Sequence, residues 1–164
     1  MSKRKEITLK FIEKLSSAVN KNNISKVKEL INELHSADIA EILEKVSLNE
    51  AQFIYQILDE EKSAEILLEI DDNLREDLLA ALSAKEIAEE VIENLESDDA
   101  ADLIGELSEK KQEEVLSHIE DTEYASNISD LLAYSEDTAG GLMAKELIKV
   151  NQNWNTLICL REMR

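Results

Sequence analysis

The segment Glu96-Ser97-Asp98-Asp99-Ala100-Ala101-Asp102, with Glu106 four residues on, is the part of this chain best equipped for chemistry. On a helix of about 3.6 residues per turn, Asp98, Asp102 and Glu106 fall at i, i+4 and i+8 and share one face. Like charges at that spacing destabilise a helix, so something must offset them. Two readings do so. Asp98 and Asp99 lie in a first helical turn, where the helix dipole favours negative charge. Alternatively, the carboxylates belong to a divalent-cation site: Mg2+ takes oxygen ligands and keeps several waters, so one or two carboxylates from each of two facing surfaces suffice. Other chemistries find no support. His35 and His118 lack a Cys or His at ligand spacing, which argues against zinc. There is no Gly-rich phosphate loop, no nucleophile elbow, and no local base beside the single cysteine, Cys159. No enzyme is predicted.

A regular array of short helices must position these residues. Leu34, Val46, Leu58, Ile70, Leu82, Leu95, Leu107 and Ile119 recur every twelve residues with one thirteen-residue step, from Leu82 to Leu95, and most are followed within two positions by Ser or Asp. Twelve residues allow about two and a half helical turns plus a tight connection. Units that short bury their apolar stripes only against neighbours, which predicts a stacked superhelix with an extended surface. Helices are expected near 36–45, 48–57, 60–69, 72–81, 84–94, 98–106 and 109–119, with a last one near 123–134. Ser36, Ser47, Asp59, Asp71, Ser83, Ser97 and Ser108 are N-cap candidates, and Ser47 with Glu50 and Ser83 with Glu86 have capping-box spacing. Ahead of the array, Phe11, Leu15, Ala18 and Val19 share a helical face that ends at Asn20-Lys21-Asn22-Asn23. A second stripe runs from Ile24 to Leu34. The units that begin at Leu34, Leu58, Leu82 and Leu95 share an Ala-acid step, which sets a small residue against a neighbour and a carboxylate beside it.

Composition agrees. There is no proline, and nothing before Gly105 is glycine, so helix formers run unbroken. Apolar runs fall far short of the roughly 20 residues needed to cross a bilayer, and no signal-peptide pattern opens the chain, so this stretch is expected to be soluble. Residues 1–28 hold eight Lys or Arg and two Glu; the remaining 136 hold 10 basic and 35 acidic side chains, a balance of −25. Such a polyanion argues against nucleic acid and favours cations or a basic partner surface.

After Tyr134 the texture changes. Glu136-Asp-Thr-Ala-Gly-Gly-Leu-Met143 contains the only adjacent glycines, Leu147, Ile148 and Val150 suggest a short strand, and Asn153 to Arg164 reads as the opening of a helix. Taken with the Leu34 to Leu43 segment and the Glu96 to Leu107 unit, the Asp-Thr-Ala-Gly-Gly-Leu-Met string makes residues 25–164 resemble the N-terminal part of MgtE-type magnesium transporters and channels. The resemblance implies an all-α, right-handed superhelix of about ten short stacked helices over residues 1–134, then a linker and an incomplete first CBS domain over 135–164. It implies a regulatory domain at the cytoplasmic face of the cell membrane. High Mg2+ would bridge its acidic faces to the CBS domains and connecting helix and close a pore, in a full-length protein that is a homodimer. By motif alignment the metal-facing carboxylates are Glu65, Asp98 and Asp102, with Asp99 supporting them. Because their partners lie beyond Arg164, the chain alone should bind Mg2+ weakly. A helical interaction scaffold like that of flagellar rotor switch proteins is the alternative.

Overall fold

The structure is a computed structural model, and it describes residues 7–135, 138–141, 143, 145, 152 and 154–162. Each helix is too short to stand alone, and its position follows from which apolar side chains it can hide. Helix α1 (Leu9–Asn20) buries Leu15, Ala18 and Val19, and α2 (Ile24–Ile31) buries Val27, Leu30 and Ile31. Asn22 turns the chain between them with a positive φ of 52°, a conformation asparagine tolerates better than most residues. Asn23 then caps α2 by accepting the Lys26 N–H at 3.0 Å.

The array follows as α3 (Ser36–Leu43), α4 (Leu48–Tyr55), α5 (Glu60–Glu69), α6 (Asp72–Ala80), α7 (84–94), α8 (Ser97–Gly105), α9 (Glu109–His118) and α10 (Thr122–Leu131). Helices pack mainly on the next but one: α3 on α5, α5 on α7, α7 on α9, and α8 on α10. One apolar cluster therefore runs continuously from Leu15 to Leu131. The expected boundaries agree with these to within a few residues at each end. Among the described residues there is no strand, as the all-α reading requires. Leu147, Ile148 and Val150, expected to form a strand, lie outside the described residues. The expected late helix is present as α11 (Thr156–Glu162).

The landmarks of the twelve-residue repeat do not sit on the helix stripes. Each from Leu34 to Leu107 immediately precedes a helix N-cap, where an inward apolar side chain staples the entering chain to the core. The alanines six residues after Leu34, Leu58, Leu82 and Leu95 are Ala40, Ala64, Ala88 and Ala101, and all are buried. The acids that follow them, Glu41, Glu65, Glu89 and Asp102, are exposed.

The thirteen-residue step has a structural cause. Helix α7 begins as Ala84–Glu86, continues as a π turn over Ile87–Val91 and closes as a 3-10 turn over Ile92–Asn94. The extra residue widens one turn of the helix and leaves the connections short. Ile87, Ala88, Val91 and Ile92 stay buried as a result.

Three of the expected caps work differently, Ser108 holding the cap position of α9 without a side-chain cap hydrogen bond. Ser36 and Ser97 are the first residues inside α3 and α8, with His35 and Glu96 at the cap positions. The Ser36 hydroxyl donates to Glu65 instead. Helix ends without glycine leave bare carbonyls, and long donors from later units satisfy them. Lys62 Nζ reaches Asn32 O at 3.1 Å, and Tyr124 Oη reaches Ile92 O at 2.8 Å and Leu95 O at 2.7 Å.

Candidate functional site

Helix α8 buries Ser97, Ala100, Ala101, Leu103 and Ile104, which leaves Asp102 exposed and Asp98 and Asp99 half-buried. Asp99, Asp102 and Glu106, spaced i, i+3 and i+7, line one wall of a groove of about 910 Å³, and Asp72 and Glu76 of α6 line the other. The row predicted from spacing was Asp98, Asp102 and Glu106. The groove takes Asp99 in place of Asp98, whose Oδ1 is buried with no hydrogen-bond partner.

Two cations share the groove with these five acids, and both are committed. Arg75 donates from Nε to Leu67 O at 2.7 Å and from Nη2 to Ile70 O at 2.9 Å, covering the carbonyls that end α5. Its Nη1 pairs with Glu106 and lies 3.5 Å from Asp72 Oδ1. Lys111 Nζ donates to Leu79 O and Leu82 O, both at 3.0 Å, covering the end of α6. Arg75 thus acts as a resident counter-ion for Glu106. Burial, and then the neighbouring Asp98 charge, raise the Asp99 pKa above the ordinary carboxylate value. A carboxylate held that way gains from a nearby cation.

Glu65 stands elsewhere. It is exposed on α5 and borders two shallow depressions, one beside Leu58 to Lys62 and one beside His35, Ser36 and Leu68, neither of which includes an acid of α8. Among the described residues, no three His, Cys, Asp or Glu side chains are placed to hold a metal ion together. The donors have the right chemistry for Mg2+, being hard carboxylate oxygens, but they are too few in any one place to complete its shell. A second surface is needed. Sequence reasoning missed Arg75 and Lys111, because the carbonyls and acids they bind lie as far as 31 and 32 residues away along the chain. Their only sequence signal is that they are cations in an acidic stretch.

Stacked short helices with an acidic groove define an α-helical repeat domain suited to contact through charge. The chain belongs to the MgtE intracellular N domain family, whose model matches residues 34–137. Solved structures similar to it include the following two. The soluble part of a magnesium transporter is 22% identical with a TM-score of 0.75, over 93% of this chain and 61% of that one. The cytosolic domain of the Mg2+ channel MgtE in complex with ATP is 22% identical with a TM-score of 0.78, over 93% and 62%. At that identity the likeness shows the fold. The chain spans about three fifths of the length of these structures. No curated protein gives a significant match. No helix of the described residues is long and apolar enough to cross a membrane.

Proposed function

We propose that this chain is a Mg2+-sensing regulatory domain of a magnesium transporter, working at the cytoplasmic face of the membrane by electrostatics and without catalysis. The observation that carries the proposal is α8, whose outward carboxylates lie within the matched residues 34–137 and have the donor chemistry of Mg2+ without the number to enclose it. A body with a balance of −25 beyond residue 28 repels other acidic surfaces. A divalent ion between two such surfaces removes the repulsion and favours the apposed state over the open one. In this reading Mg2+ is the cargo of the transporter as well as the ligand. Asp98 and Asp102 face the ion from α8 with Asp99 supporting them, Glu65 faces it from α5, and the partner carboxylates belong to CBS domains and a connecting helix that follow. Residues 135–164 are then the linker and the beginning of the first CBS domain. The pore lies in the same full-length, homodimeric protein.

The test uses a protein that extends through both CBS domains. Millimolar Mg2+ should protect it from protease, and Asp98→Ala with Asp102→Ala should abolish most of that protection. Protection unchanged in the double variant would overturn the assignment to α8. Indifference of the parent protein to Mg2+ would favour the scaffold reading.

A further inference from the structure

The Gly-Gly motif and the residues around it have a use within this chain that the ion-sensing reading does not absorb. The Thr138 hydroxyl donates to Ser135 O at 2.7 Å, and the Gly141 N–H donates back to the same hydroxyl at 3.3 Å. Gly140 lies against the Tyr134 ring so closely that a Cβ there would stand 2.5 Å from a ring carbon. Any side chain at 140 must move the ring or open the turn. Farther on, Lys145 is held at two points. Its backbone N–H donates to Ser97 Oγ, on a fully buried serine, at 3.2 Å, and its Nζ pairs with Asp130 Oδ2 of α10 at 2.7 Å. The Lys145 side chain is only 20% exposed. This accounts for Ser97, which forgoes the capping role its sequence position suggests.

We infer that Ser97, Asp130 and Lys145 form a latch that pins the chain at Lys145 to the helical array. The latch joins α8 and α10, which pack on each other, so both contacts of Lys145 fall on one packed pair of helices. Ser97 immediately precedes Asp98 and Asp99, so a shift in the first turn of α8 shifts the anchor of Lys145 as well. This inference stands on contacts within the chain and does not depend on Mg2+.

Amide hydrogen exchange of the 164-residue chain at Lys145, without divalent ions, tests it. A hydrogen bond of ordinary net strength slows exchange by about five- to tenfold relative to an unstructured peptide. The parent should show that protection, and Ser97→Ala should remove it. Asp130→Asn, a change at an exposed surface position, should reduce it several-fold and speed trypsin cleavage after Lys145, with exchange in α3 to α6 unchanged in both variants. Unstructured exchange at Lys145 in the parent would overturn the latch. So would protection that neither substitution alters.

Discussion

At the start of α4, Glu50 Oε2 accepts the Ser47 N–H at 3.0 Å and its hydroxyl at 2.7 Å, while Oε1 accepts from Asn20 of α1 at 3.2 Å. At the start of α7, Glu86 accepts the Ser83 N–H at 2.8 Å and its own N–H donates to the Ser83 hydroxyl at 3.2 Å. At the start of α8 the acids make no such arrangement: Asp98 Oδ1 is buried without a partner, and no side chain caps the helix. The electrostatics follow. The serine hydrogen bonds hold Glu50 and Glu86 below the ordinary carboxylate pKa, whereas burial and Asp98 push Asp99 above it. Acids in the first turn serve the fold as capping partners in α4 and α7, and in α8 are held half-buried without capping it, at some cost to the fold. That leftover is what makes α8 the candidate contact face.

The comparison can be broken or sharpened by substitution. Glu106 pairs with Arg75, so Arg75→Met should be the most damaging change. It strips the donors from Leu67 O and Ile70 O and leaves Glu106 uncompensated, lowering stability by about 2 kcal/mol in urea unfolding. Ser47→Ala with Glu50→Ala removes the α4 capping box and should lower stability by about 1 kcal/mol with an unchanged urea slope. A loss no larger than that of an ordinary surface change would mean that the box is redundant.

The pH dependence separates the two kinds of acid. Glu50 and Glu86 have folded values below their unfolded ones, so their stabilisation is complete above the unfolded value and fades as pH falls through the folded value. Asp99 is the reverse. Its folded value is raised, so its ionised form disfavours folding at neutral pH, and that penalty is relieved as pH falls through the folded value toward the unfolded one. Urea midpoints measured from neutrality to about pH 3 should fall overall. In Asp99→Asn the fall should be steeper, because the relief is missing, and stability at pH 7 should be higher than in the parent by a few tenths of a kcal/mol. A less stable Asp99→Asn would show that Asp99 serves the fold after all.

Much of the architecture was legible because it is periodic. The spacing of Leu34 to Leu107 located α3 to α9, since an apolar residue before each N-cap and a buried alanine six residues later in four of the units are local requirements of packing short helices. The Ser47-Glu50 and Ser83-Glu86 boxes could be read because both partners lie within one turn. Composition alone supplied the acidic surface. Only the tertiary structure decided the rest. It absorbed the thirteen-residue step as a π turn in α7, since a helix can widen one turn where a short connection cannot lengthen without unseating its apolar staple. It replaced Asp98 with Asp99 in the groove, moved Ser36 and Ser97 from caps to cross-unit contacts, and set Arg75 beside Glu106. Those partners lie from 29 to 48 residues apart, a separation at which chain order carries no distance information and the stacking of helices sets every contact.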